Sequence, residues 1–153
     1  MRIHVVWPGK TRNTQLRALI DDYRSRVYHF ARCELTEVKA ATDSDPALGI
    51  DKESRRISDA LSNDDLLILL DVAGTEWSSE ELARQIQNWE ERGKKSVAFV
   101  VGGPNGVSDD LKRRVTTKWS LSRLTLTHEL ARLVMLEQLY RAYAIIHRLP
   151  FVR

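Results

Sequence analysis

Three short segments hold the residues whose types and spacing can do chemistry. They are Leu70-Asp71, then Gly102-Gly103-Pro104-Asn105-Gly106, then Ser120-Leu121-Ser122-Arg123-Leu124-Thr125-Leu126 leading to His128. Adjacent glycines let a ligand approach the backbone closely and leave its N–H and C=O groups free to bond. Leu121, Leu124 and Leu126 can wall a flat ring. His128 is the only histidine in a marked segment and can serve as a general base near neutral pH. It can equally cap or pack the helix it starts, or position a substrate. The 102–106 turn lacks the Lys-Ser/Thr ending of a phosphate loop. The first strand is followed by Pro8-Gly9-Lys10 rather than G-x-G-x-x-G. A nucleotide hydrolase and an ordinary dehydrogenase are therefore disfavoured. By spacing alone the glycine run also fits a plain tight turn.

The elements that must position these segments follow from periodicity. Residues 2–7 alternate and read as a strand, stopped by Pro8-Gly9. Residues 13–31 carry Leu16, Leu19, Ile20, Tyr23 and Val27 at helical spacing. Residues 33–38 read as a short strand, 39–49 as a polar loop, and 52–61 as a helix. The continuous apolar run 66–70 suits a strand buried on both faces of a parallel sheet, with 72–77 a loop. Ser78 and Glu81 form a capping box for a helix over 79–91. Residues 96–101 form another buried strand, and Ser108-Asp109-Asp110 starts a short helix ending near 115. Residues 119–126 mix strand and loop. Residues 128–147 form the longest helix, with Leu130, Leu133, Val134, Leu139, Ala142 and Ile146 as its apolar face; Arg132 is placed on its surface. Alternation of strands and helices predicts one α/β domain over 1–153, a mostly parallel sheet flanked by helices. In such sheets ligands bind beyond the carboxyl ends of the strands, where the three marked segments lie.

Charge is unevenly spread. Residues 112–153 hold nine of the 24 Lys and Arg but two of the 21 acids, Glu129 and Glu137. A basic end on an otherwise acidic chain suits a polyanion on one side, although a solvated basic surface has the same composition. Cys33 is the only cysteine, so no internal disulfide is possible and a cytoplasmic setting is expected. The four histidines have no cysteine at ligand spacing, so no metal is expected. No signal-peptide pattern and no apolar run near the ~18 residues of a membrane span are seen, so no membrane partner is expected.

Four blocks in order resemble one family. They are Leu69-Leu70-Asp71-x-x-Gly74, Val101-Gly102-Gly103-Pro104-x-Gly106, Trp119-Ser120-Leu121-Ser122-x-Leu124-Thr125-Leu126-x-His128 and Glu137-x-Leu139-Tyr140-Arg141-Ala142. The chain resembles the RlmH family of SPOUT methyltransferases over essentially its whole length, least clearly between residues 10 and 60. That resemblance implies S-adenosylmethionine as cofactor and N3 of a pseudouridine in 23S ribosomal RNA as methyl acceptor. It also implies a trefoil knot near the carboxyl end and a homodimer with a shared active site. Carried over by block, Leu70, Gly102, Gly103, Leu121, Ser122, Arg123, Leu124, Thr125 and Leu126 would hold the cofactor. His128 and Arg141 would be catalytic, and Tyr140 and Arg153 would meet the RNA within the large subunit. Family members often finish with a His-Pro-Tyr-His type sequence; this chain ends Leu149-Pro150-Phe151-Val152-Arg153 and lacks those histidines and the tyrosine hydroxyl. The rival readings are a SPOUT enzyme acting on another RNA such as transfer RNA, a non-catalytic ribosome-binding factor, and a metabolic enzyme acting on a small nucleotide.

Overall fold

Alternation along the first strand divides the two faces of a sheet. Ile3, Val5 and Trp7 join one apolar cluster and Val6 joins another, all fully buried. The computed structural model describes residues 1–61 and 63–150. Its elements are β1 (Arg2–Pro8), α1 (Thr14–Tyr28), β2 (Cys33–Val38), α2 (Pro46–Ala60), β3 (Leu66–Glu76), α3 (Ser79–Glu91), β4 (Ser96–Val100), α4 (Asp109–Arg114), β5 (Thr117–Ser120) and α5 (His128–Ile146). The sheet runs β2-β1-β4-β3-β5, and every pair is parallel. Residues of α1, α3 and α5 pack one face, around Phe99 and Trp119; those of α2 and α4 pack the other, around Leu69 and Val100. The mostly parallel α/β sheet flanked by helices is as expected. Each buried Leu, Ile or Phe contributes about 1.5–3 kcal/mol, so the central strands β1, β4 and β3 carry much of the stability.

The capping box behaves as read. Glu81 N donates to Ser78 Oγ at 3.0 Å, and Ser78 N donates to Glu81 Oε2 at 2.8 Å. Three other expectations need correction. Residues 72–77, read as loop, largely continue β3. Asp71 Oδ1 accepts from Ala73 N at 2.9 Å, bulging the strand, and pairing with β5 resumes at Thr75↔Trp119. Gly74 makes this possible, because a Cβ there would lie 2.6 Å from the Lys118 carbonyl carbon and oxygen. Helix α2 begins at Pro46, well before residue 52, since Asp45 caps Ala47 N at 3.0 Å and proline suits the first helical turn.

The third correction concerns α5. Its fully buried face is Arg132, Met135, Leu136, Leu139, Ala142, Tyr143 and Ala144; Leu130, Leu133, Val134 and Ile146 are only half-buried. Arg132, placed on the surface by spacing, has 0 % exposure. Its guanidinium donates to Pro8 O at 2.7 Å and Thr11 Oγ1 at 3.0 Å, and it lies 4.9 Å from the Trp7 ring centroid. Burial lowers its pKa to about 10, so it stays charged at neutral pH. It thereby ties the chain beyond β1 to the start of α5.

Gly74→Ala should therefore cost about 1–3 kcal/mol by overpacking, read as a lower urea midpoint. Gly49→Ala, inside α2 with Ala41 Cβ at an ordinary 3.5 Å, should be neutral or gain up to about 1 kcal/mol. Equal effects at the two sites would contradict the close β3–β5 approach.

Candidate functional site

A cavity of about 550 Å³ opens where β4 ends and β3 bulges, within the usual ligand-site range of about 300–1,000 Å³. Leu70 lies where the β3 bulge begins, and Gly102 and Gly103 at the β4 exit. Leu121, Ser122, Leu124, Thr125 and Leu126 come from the segment after β5, and His128 from the start of α5; all line the cavity. Arg123, placed with them by sequence, does not line it and is exposed. Asp71, Val72, Pro104, Gly106, Thr127 and Ala131 also line the cavity, and sequence reasoning did not assign them to it. Asp71, Pro104 and Gly106 stand in the marked segments without having been given a role, whereas Val72 and Thr127 adjoin marked residues and Ala131 sits one helical turn beyond His128.

Local bonds shape the walls. The 102–106 turn closes through Gly106 N donating to Gly103 O at 3.0 Å, with Gly106 at φ +82°, a region that favours glycine. A Cβ on Gly102 would approach Val107 Cγ1 to 3.1 Å, and one on Gly103 would approach Glu53 Oε1 to 3.1 Å and Pro8 Cγ to 3.3 Å. The turn is also braced by α2: Ser108 N donates to Ser54 Oγ at 2.8 Å. After β5, Ser120 Oγ donates to Ser122 O at 2.9 Å and Leu124 N to Ser122 Oγ at 3.0 Å. Thr127 then caps α5, accepting from Leu130 N at 3.3 Å. His128 is thus the first residue of the helix rather than its cap.

Among the described residues two titratable side chains line the cavity, Asp71 and His128, and no Lys or Arg does. A phosphorylated ligand would find no fixed cation there; a ligand carrying positive charge with an apolar ring suits the lining. His128 titrates below its usual range. Burial is the main cause, followed by the Arg132 charge, with Glu129 and Glu53 opposing. Its ring is therefore largely neutral at pH 7 and able to accept a proton. Glu129 is held below the usual carboxylate range, chiefly by the Arg12 backbone N–H.

The remaining predicted residues lie elsewhere. Arg141 is thirteen residues from His128, about 20 Å along the helix axis. Its Nε donates to Glu137 Oε1 at 3.1 Å, one turn back. Tyr140 packs with its ring centroid 6.0 Å from Tyr23 and 6.2 Å from Phe30, with the Arg26 guanidinium 5.6 Å away. Neither lines the cavity of its own chain. Arg153 falls outside the described residues.

Comparison with known proteins adds independent findings. Residues 1–151 match the family model described as predicted SPOUT methyltransferase. The chain is 36 % identical over 151 residues to the ribosomal RNA large subunit methyltransferase H of Geotalea daltonii, covering 99 % of each. It is 36 % identical over 156 residues to that of Dichelobacter nodosus, covering 100 % of this chain and 99 % of the relative. The chain belongs to the SPOUT methyltransferase family. Among solved structures, this SPOUT chain resembles a probable methylase family protein from Haemophilus influenzae Rd KW20 (TM-score 0.59, 12 % identity, 99 % of this chain and 70 % of that one). It also resembles a Legionella pneumophila protein described as a methyltransferase in complex with the bound cofactor SAM (TM-score 0.52, 14 % identity, 93 % and 66 %). At those identities the likeness speaks for the fold.

An NMR titration should place the His128 midpoint below 6.5. Because the folded value is depressed, the associated stability is present above the unfolded pKa and is lost as pH falls through the folded one. A midpoint above the ordinary histidine value would contradict the dominance of burial and Arg132 over the two glutamates.

Proposed function

We propose that this chain transfers the methyl group of S-adenosylmethionine to N3 of a pseudouridine in 23S ribosomal RNA. The observation that carries the reading is the convergence of the β3 bulge, the β4 exit and the 121–127 segment on one cavity that no Lys or Arg lines among the described residues. The full-length relatives named ribosomal RNA large subunit methyltransferase H support the acceptor, and the SAM-bound structural neighbour supports the cofactor.

The cavity residues fit the group. Gly102 and Gly103 allow it to lie against backbone, Leu70, Leu121, Leu124 and Leu126 would enclose its adenine, and the absence of lining Lys or Arg among the described residues suits its positive charge. When bound, the cofactor supplies an already activated methyl electrophile. What remains for the protein is alignment, which can lower the barrier by several kcal/mol, and removal of the proton on the acceptor nitrogen. His128, neutral and at the cavity rim, takes that proton at an imidazole nitrogen in this reading.

Arg141 and Tyr140 are too far along α5 to act in their own cavity, so they act, in this reading, in the site of a second copy. Half-buried Leu130, Leu133 and Val134 on α5, and Val72 (51 % exposed) and Leu124 (73 % exposed) at the cavity mouth, support a homodimer that covers them. We infer too that the 102–106 and 121–127 segments cross as the family's trefoil knot, that the chain is one domain, and that it works in the cytoplasm on the assembled large subunit. Among the described residues no helix is long and apolar enough to cross a membrane.

Labelled S-adenosylmethionine should methylate large subunits that lack the modification, with the label found by mass spectrometry on a pseudouridine. Label in transfer RNA would favour the rival SPOUT specificity, and no cofactor binding by calorimetry would favour a non-catalytic binder. His128→Ala should lower kcat about 10²–10⁴-fold with cofactor affinity kept. An unchanged kcat assigns the proton to solvent.

A further inference from the structure

The SPOUT chain carries a second group of charges, outside the basic carboxyl-terminal segment. Lys10, Arg12 and Arg17 are exposed, and none makes an ion pair among the described residues. They surround the start of α1, whose first turn holds no acid. A helix amino end carries partial positive charge, so stability alone favours acids there and disfavours cations. The far end of the same helix follows the ordinary rule, with Arg26 in the last turn paired to Asp22 at 3.1 Å. Three cations at the wrong end of a helix, with no anion of their own, are an arrangement that folding does not ask for.

The loop that bears Lys10 and Arg12, and leads into α1 with Arg17, is held hard against the site. Glu129, next to His128, accepts from both Arg12 N and Asn13 N at 3.0 Å. Its carboxylate is thereby engaged by backbone. Arg132, one turn further along α5, grips Pro8 O and Thr11 Oγ1 from inside the core. Gly9, at φ +77°, turns the chain between them and bonds Val38 O at 2.8 Å. Pro8 meets the cofactor turn at Gly103. A buried arginine without a hydrogen-bonded carboxylate is an unfavourable device, and here what it secures is the position of this loop beside His128.

We propose that Lys10, Arg12 and Arg17 form a pre-positioned grip for backbone phosphates of the RNA strand entering the site. This rests on the proposed RNA substrate and assigns it a contact surface. Among the described residues the cavity offers no cation for the phosphates flanking the target nucleotide; the loop beside it offers Lys10 and Arg12 on a fixed backbone, and α1 adds Arg17. Fixing the backbone beforehand reduces the ordering that binding would otherwise require.

The test compares the wild type with Lys10→Ala/Arg12→Ala/Arg17→Ala and with the charge-keeping Lys10→Arg/Arg12→Lys/Arg17→Lys. Methyl transfer to unmodified large subunits is measured across salt concentrations, alongside direct binding of the same particles, cofactor titration and particle mass. The alanine variant should raise KM for the particle roughly tenfold, with kcat within about twofold and cofactor affinity unchanged. Its plot of log affinity against log salt should be shallower by about 2–3, since each phosphate no longer neutralised removes roughly 0.7–0.9 from the slope. Its unfolding midpoint should hold or rise, since the dipole conflict is removed. The charge-keeping variant should behave as wild type. Wild-type KM and salt slope in a folded alanine variant would overturn the proposal. So would a weakening that tracks a change in oligomeric mass, which would assign the cations to acids of a second copy. A wild type that binds particles with the steep slope yet methylates nothing would sink the methyltransferase reading and leave the grip standing.

Discussion

Where β3 resumes its pairing after the bulge, the Gly74 backbone lies against Lys118 with no space for a side chain. That approach sets the register Thr75↔Trp119 and Glu76↔Ser120. The register fixes where the chain leaves β5, and so places the following segment over Leu70 and Gly102. Trp119 locks it from the core side, 5.9 Å from the Phe99 ring and 5.6 Å from the Trp77 ring. Such aromatic pairs add about 0.5–1.5 kcal/mol beyond the area they bury. The wall of the cavity is therefore built from the strand side, before any residue that touches a ligand is considered.

The opposite wall depends on charge inside an apolar layer. Arg132 sits among Trp7 and the α5 core with its Nε lacking a hydrogen bond among the described residues. Its two made bonds and the Trp7 face offset part of the burial cost, since a desolvated cation over an aromatic ring gains about 2 kcal/mol. Its charge also reaches His128 one turn away and helps keep that ring neutral. One side chain thus couples loop placement to the protonation state of a site residue.

Much of this was legible in the residues, for reasons that differ by element. Buried strands 66–70 and 96–100 were plain because an apolar run flanked by polar turns has few alternatives in a parallel sheet. The capping box of α3 was plain because Ser78 and Glu81 act locally. The continuation of β3 was hidden, since Gly74 reads as a loop signal unless the backbone it meets is known. The early start of α2 was hidden because Asp45-Pro46 sits in a polar stretch and signals helix only through its cap. Arg132 was misplaced because periodicity assigns cations to the outside and cannot register a partner such as Pro8 O, 124 residues away. The cavity residues came from strand ends and resemblance together. Arg123 lies outside the cavity lining because neighbours in an irregular segment point different ways, and the distance of Arg141 and Tyr140 from the cavity was not legible because block membership carries no distance.

The strand order has a consequence for how the molecule is made. No two neighbouring strands in the sheet form a hairpin, and β1 cannot find β4 until about a hundred residues have emerged. Until then Leu66 to Leu70 has no partner on the side that β4 will occupy, which leaves an apolar edge exposed to other chains. Contacts of such long sequence separation also slow folding. The lining of the cavity ends at Ala131, only eleven residues after β5 completes the sheet at Ser120, so a nascent chain gains its edge strand and the segment that would hold a cofactor almost together.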